Sequence, residues 1–258
     1  MARRLMCVLA HPDDESLGTG GTLAKYAAEG VETYLLTATR GERGRFLDGQ
    51  TRPGDAVVGE TREAELRAAA RELGIREVTC LGYPDGGVDC VSPEIAQQAI
   101  AEQLRRVRPQ VVITFGPDGA YGHPDHIAIS QLTTAAIVRA ADRDHAVAKL
   151  YYIAWGASTW AAYQAALKKL TSIVDGVERQ VIPIPEWHIT TRIDTSAVWP
   201  VVWRAVQCHR TQMSVYAHLA TLPPEHHRAI WGVQEFARVF SLVNGGRTRE
   251  SDLFEGLP

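Results

Sequence analysis

Five apolar runs punctuate the first 155 residues: Leu5 to Ala10, Thr33 to Thr39, Glu77 to Leu81, Val111 to Phe115 and Lys149 to Ala154. Between them apolar residues return every three to four positions, the period of an amphipathic helix, over Ser16 to Glu29, Gly59 to Leu73, Pro93 to Val107 and Asp125 to Asp142. Short, nearly unbroken apolar runs are strands covered on both faces, and their alternation with crossover-length helices predicts a parallel sheet sandwiched by helices. The expected fold is therefore α/β: a doubly wound, mostly parallel, Rossmann-like sheet. Punctuation agrees, since Gly30 and Gly74 stand where the first two helices must stop, Ser92 and Pro93 where the third begins, and Pro109 where it ends.

From Gly156 onward the pattern loosens. Pro183, Pro185, Pro200, Pro223 and Pro224 interrupt it, and all six tryptophans lie between Trp155 and Trp231. One helix is predicted from about Ser196 to Thr211, with Val198, Val202, Ala205 and Val206 on its apolar face, and another from Pro224 to Val233. With no repeat and no Gly/Ser linker, residues 1–258 are expected to form one domain, 1–155 as its core and 156–258 as an extension packed on it. The tryptophans are expected to serve as core or wall.

The bulk numbers remove several functions. No apolar stretch among the 258 residues approaches the roughly 18 needed to span a bilayer, so no membrane span is expected. The run after Met1-Ala2-Arg3-Arg4 is too short for a secretory signal. Four cysteines (Cys7, Cys80, Cys90, Cys208) lack C-x-x-C spacing, and Cys7 and Cys80 fall in buried strands, which predicts free thiols and a cytoplasmic protein. A net charge of −3 without basic runs gives no pull toward nucleic acid.

Two turns carry the chemistry. His11-Pro12-Asp13-Asp14-Glu15 follows the first apolar run and His123-Pro124-Asp125-His126 follows the fourth. Ligands of a doubly wound sheet sit outside the carboxyl ends of the strands, where strand order reverses. With the common spatial order 3-2-1-4-5 the two turns face each other, and His11, Asp14 and His126 converge. Two imidazoles and one carboxylate leave a tetrahedral cation one position open to water. Asp13, beside a ligand but not itself one, is suited to take a proton from that water and pass it to a leaving amine. His123, if protonated, would donate to the oxygen where negative charge develops, with Asp125 holding its ring. Pro12 and Pro124 fix the backbone where the turns begin.

Each group alone has a plainer reading: a loop histidine is usually structural, and Asp-Asp-Glu before a helix complements its dipole. Recurrence at equivalent strand ends is what argues for a metal. Gly18-Thr19-Gly20-Gly21 invites a dinucleotide reading, but Leu23 occupies the third glycine's place, and close packing of helix on sheet is expected instead. The two-histidine, one-carboxylate set also serves non-haem iron oxygenases, against which the strand–helix alternation argues.

The residues Ala10-His11-Pro12-Asp13-Asp14-Glu15 and His123-Pro124-Asp125-His126 together resemble the LmbE-like, or PIG-L, zinc-dependent N-acetylglucosamine deacetylases. The resemblance spans most of the first 150 residues and returns at Cys208-His209-Arg210-Thr211-Gln212, which is similar to that family's C-terminal helix signature. It implies an LmbE-like fold, Zn2+ held by His11, Asp14 and His126, Asp13 as general base and acid, and His123 as oxyanion stabiliser. It further implies that Tyr121 assists carbonyl polarisation and that Arg62 and Asp85 touch sugar hydroxyls. A solvated helix face for Arg62 and an Asp-Gly turn for Asp85 are the plainer readings. Another divalent metal such as Fe2+ suits the same donors. Thr39 to Gly44 resembles the family's loop after the second strand, while Arg40 and the polar stretch to Gly59 look like this chain's own elaboration.

The expected function is hydrolysis of an N-acetyl or other N-acyl group from a glucosamine-containing small molecule or conjugate. The alternatives are an amidase acting on a larger thiol-conjugate or glycopeptide amide, and a non-catalytic sugar- or metal-binding protein of the same fold, which would have no need of Asp13. The expected partner is a small-molecule N-acetylglucosaminide or related amide, and the sequence is compatible with a homo-oligomer.

Overall fold

The apolar runs pair side by side as parallel strands because each has two faces to bury and no polar face to show. In the computed structural model, which describes residues 2–47, 51–167, 171–174, 176–246 and 248–258, they form β1 (Arg4–Leu9), β2 (Glu32–Thr39), β3 (Glu77–Tyr83), β4 (Val111–Thr114) and β5 (Lys149–Ala154). Their order is β3-β2-β1-β4-β5. β1 lies between β2 and β4, with Leu5 opposite Val111 and Cys7 opposite Ile113, so the chain reverses direction across the sheet at the β1–β4 boundary. Both motif turns leave the carboxyl ends of these two strands. β3 is an edge strand, which leaves Cys80 half-buried rather than buried.

The crossovers are α1 (Asp14–Ala28), α2 (Asp55–Glu72), α3 (Pro93–Val107), the single turn α4 (Gly119–Gly122) and α5 (Pro124–Ala140). Right-handed crossovers stepping outward to β3 and then back to β4 and β5 put α1 and α2 on one face and α3 and α5 on the other. Gly30 and Gly74 end their helices at positive φ, with Val31 N–H donating to Tyr26 O (2.9 Å) and Ile75 N–H to Ala70 O (2.8 Å), the six-to-one closure that glycine permits. Ser92 precedes α3 as expected, but its side chain makes no capping bond. α2 starts four residues before the predicted Gly59; of the polar stretch ahead of it, residues 48–50 lie outside those described.

The remaining chain forms α6 (Ala157–Leu167), the ribbon β6 (Thr171–Val174) and β7 (Val177–Gln180), then β8 (Thr191–Asp194), α7 (Trp199–Cys208), α8 (Met213–Tyr216), α9 (Pro224–Trp231) and β9 (Val233–Ser241). β9 pairs antiparallel with β5, and β8 antiparallel with β9, giving the order β3-β2-β1-β4-β5-β9-β8. The last third thus supplies two strands of the sheet besides packing on it. Buried Glu235 fixes β9 there, accepting from Gly156 N–H (2.7 Å) and Thr159 Oγ1 (2.8 Å). α7 packs across α1 and α2, and the glycines of α1 make room for this region: a Cβ at Gly21 would stand 2.7 Å from Thr195 Cβ. Gly20 and Gly21 thus pack on Val202 and Thr195 of the C-terminal third, while Gly18 faces the sheet, a Cβ there standing 3.5 Å from Ile153 Cδ1 of β5. Trp231 is fully buried and stacks near Trp203 and His227, whereas Trp187 is exposed. Among the described residues no helix is long and apolar enough to cross a membrane.

One buried ion cluster ties the added strands to the core. Lys149 Nζ lies 2.8 Å from Glu250 Oε1, and the same carboxylate accepts from Tyr151 (2.7 Å), Thr191 (2.8 Å) and Asn244 (2.7 Å). Burial alone would raise the Glu250 pKa, but these donors hold it down at about 2. The resulting stabilisation is present above the ordinary glutamate pKa near 4.5 and is lost as pH falls toward 2. Glu250→Gln should therefore destabilise the fold at pH 7 by about 3 kcal/mol, the lower end for uncovering one member of a buried pair. The gap to the parent should narrow at pH 3 in chemical unfolding; a gap independent of pH would contradict the assignment.

Candidate active site

The β1–α1 turn is built to crowd its polar groups. Asp14 bends back so that its Oδ2 accepts the His11 N–H at 2.8 Å, and Asp13 takes φ 108°, a left-handed conformation that costs a non-glycine residue on the order of 1–3 kcal/mol. Across the β1–β4 boundary, His123 N-caps α5, its Nδ1 accepting the Asp125 N–H at 3.2 Å, while Pro124 occupies the first turn. Strain and caps together aim both turns at one point.

There the three expected ligands meet. His11 Nδ1 lies 3.2 Å from His126 Nε2 and 3.6 Å from Asp14 Oδ2, and His126 Nε2 lies 3.6 Å from Asp14 Oδ1. A tetrahedral ion with ligand bonds of about 2.0–2.1 Å spaces its donors roughly 3.3 Å apart, so this donor set fits one. Burial pushes the His126 ring down to about 3, leaving it neutral with a free lone pair. Its plane stacks on Phe115 (centroids 3.9 Å, 11°), which fixes where that lone pair points. His123 also stands within reach of His11 and His126, and His11, Asp85 and Asp125 form a second close group on the opposite side of the His11 ring.

That second group changes one expectation. Asp125 does not hold His123 with its carboxylate; its Oδ2 meets His11 Nε2 at 3.0 Å, while backbone N–H groups of Gly86 (2.7 Å) and Val88 (3.0 Å) donate to its two oxygens. A carboxylate on the far nitrogen of a ligating histidine fixes the ring and raises its basicity. Asp85 Oδ1 stands 3.3 Å from the same nitrogen. Burial opposes charge on His11, but Asp125, Asp14 and Asp85 outweigh it and raise its pKa, and His11 in turn holds Asp85 at about 2 against burial. The His123 pKa is lowered by burial and by His11, and its Nδ1 is occupied as an acceptor, so Nε2 carries the hydrogen.

Asp13 is set apart from the ligand atoms. Arg62 Nη2 lies 3.2 Å from its Oδ2 and the Tyr216 hydroxyl 3.4 Å from the same oxygen. Burial raises the Asp13 carboxyl to about 6, against the pull of Arg62. Arg62 itself is buried, not solvated, and also donates to Pro12 O (2.5 Å) and Gly41 O (2.8 Å). Gly41 and Gly44 press on its guanidinium so closely that a Cβ on either would collide with it. Its Nη2 bonds go to the β1–α1 turn and its Nη1 bond to the loop after β2. Tyr121 stands in the α4 turn beside Ala120 at φ 66°, its ring T-shaped to those of His123 and His126.

These groups line a cavity of about 540 Å³, within the range of about 300–1,000 Å³ common for small-molecule sites. Asp85, Arg62 and Tyr121 line it; Trp155, directly after β5, and Tyr163, Val181 and Tyr216 of the C-terminal extension form a wall that sequence reasoning did not assign to the site. Neither Tyr216 nor the Phe115 platform carries a motif that would mark it in the sequence.

The model of the PIG-L family, described as GlcNAc-PI de-N-acetylase, matches residues 6–137. An enzyme of Streptomyces griseus subsp. griseus named 1D-myo-inositol 2-acetamido-2-deoxy-alpha-D-glucopyranoside deacetylase is 35% identical, covering 100% of this chain and 90% of that protein. The structure of a conserved protein from Thermus thermophilus, TT1542, superposes with a TM-score of 0.64 at 29% identity, covering 95% of this chain and 98% of that one. The N,N'-diacetylchitobiose deacetylase of Pyrococcus horikoshii shares the fold at a TM-score of 0.64 and 17% identity, over 92% of this chain and 84% of its own.

Proposed function

The chain belongs to the PIG-L family of GlcNAc de-N-acetylases and is an N-deacetylase of a GlcNAc-containing small molecule; from that premise we propose that its substrate is an N-acetylglucosaminyl inositol and its metal zinc. The observation that carries this reading is the convergence of His11 Nδ1, Asp14 and His126 Nε2 on one point, with Asp13 beside them and not among them. The inositol comes from the full-length relative's substrate, and the cavity is large enough for two rings.

His11, Asp14 and His126 would hold the ion; Fe2+ suits the same donors. Bound there, a divalent cation lowers the pKa of water toward about 7 and draws charge from an amide oxygen. Asp13 accepts a proton from the water that attacks the amide carbon and returns it to the glucosamine nitrogen as the C–N bond breaks, so that acetate and free amine leave. Arg62 and Tyr216 hold the Asp13 carboxylate toward the cavity. His123 donates its Nε2 hydrogen to the oxygen gaining charge, and Tyr121 flanks that oxygen from the α4 turn. Asp125 orients His11, and Asp85, on the cavity wall, is the group offered to sugar hydroxyls.

Zinc-loaded protein should release acetate from N-acetylglucosaminyl inositol faster than from free N-acetylglucosamine or N,N'-diacetylchitobiose, and chelated protein from none. Faster release from the chitobiose would overturn the inositol assignment. No release from any of them would overturn the deacetylase reading of this site.

A further inference from the structure

Two buried charged groups next to the site have no part in the steps above. Glu15, the last residue of the first motif, and His209, at the end of α7, are both completely inaccessible to solvent. His209 Nε2 lies 2.8 Å from Glu15 Oε1, although 194 residues separate them. The other oxygen, Glu15 Oε2, accepts the backbone N–H of Asp13 at 3.0 Å. Ser16 Oγ donates to Oε1 at 2.5 Å.

We infer that His209 and Glu15 are positioning residues for Asp13: His209 holds the Glu15 carboxylate, and that carboxylate holds the Asp13 backbone in its left-handed conformation. A non-glycine residue stays at φ 108° only where its surroundings over-determine it, and the Asp13 N–H is one of the donors that a helix start leaves without an intrahelical partner. Glu15 supplies that partner from two residues ahead. A carboxylate buried this deeply keeps its place only with donors around it, and His209 is the donor that comes from outside the turn. The neighbours of His209 extend the brace. Thr211 donates through N–H (2.9 Å) and Oγ1 (2.7 Å) to Glu65, on the same helix as Arg62, and Gln212 Nε2 donates to Arg45 O (2.9 Å) in the loop that presses on Arg62. One segment of the C-terminal third thereby steadies the backbone of Asp13 directly and its side-chain partner through α2.

The inference rests on the deacetylase reading, and its test separates the two. Glutamine places an N–H where Nε2 of His209 stands; asparagine reaches only as far as Nδ1. H209N and H209A should lose 10- to 100-fold in kcat with KM within twofold and the parent's metal content, because a misplacement near 1 Å costs about that much, and H209Q should return to within threefold of the parent. If H209A does not fold, H209N against H209Q carries the comparison. An H209N kcat within twofold of the parent, an equal loss in H209Q, or a loss that follows metal content would overturn the assignment. A crystal structure of H209N reads the same claim without turnover: Asp13 leaving positive φ supports it, and Asp13 unchanged overturns it even where no substrate is hydrolysed.

Discussion

Asp13→Asn should lower kcat by about 10² to 10⁴ while leaving metal content at the parent's level, the loss usual for a general acid/base. Asparagine is the informative replacement because it alters one property. It keeps an oxygen for Arg62 Nη2 and the Tyr216 hydroxyl, 3.2 and 3.4 Å from Asp13 Oδ2. It also tolerates the left-handed backbone better than alanine, whose strain would mix folding with catalysis. What disappears is basicity in a carboxyl that burial has brought to about 6, close to the value at which a base both accepts and returns protons near neutrality. Steady-state kinetics with elemental analysis of the same preparation checks this. Unchanged kcat would remove Asp13 from the proton path, and loss of metal would exchange the roles of Asp13 and Asp14.

The convergence of Asp13 with His11, Asp14 and His126 was legible in the sequence because strand-end position is legible. Continuous apolar runs mark β1 and β4, and strand order brings their ends together. Contacts that depend on depth were not. Asp125 stands two residues from His123, and proximity along the chain suggested that pair, yet its carboxylate crosses the crevice to His11 Nε2. Arg62 sits on a helix of weak amphipathicity whose polar residues give no sign of which one turns inward; only the glycines at 41 and 44 betray that something must press against them. β9 was missed for a related reason. Val-Gln-Glu-Phe-Ala-Arg-Val-Phe-Ser places Gln234 and Glu235 where a strand's buried face needs apolar groups, and both are buried because each accepts backbone N–H groups, of Thr22 (2.6 Å) and Gly156 (2.7 Å). Such partners lie far along the chain, where periodicity carries no information.

His126→Ala should abolish metal binding and activity together. Its Nε2 is one of the three donors, and the two left, His11 Nδ1 and Asp14, cannot fill a tetrahedral site without two further waters. The ring also stacks on Phe115 and is buried, so a dead variant could be explained by a damaged fold alone. Thermal unfolding separates the explanations. An ion that binds only the folded state stabilises it by about 2.7 kcal/mol at a concentration one hundredfold above its Kd. Added zinc should therefore raise the Tm of metal-free parent by several degrees and leave that of metal-free His126→Ala where it was. A variant that is less stable than the parent yet still gains Tm with zinc has lost packing and kept its ion. That result would take His126 out of the ligand set and, since His123 stands beside it within reach of His11, move the third position to His123.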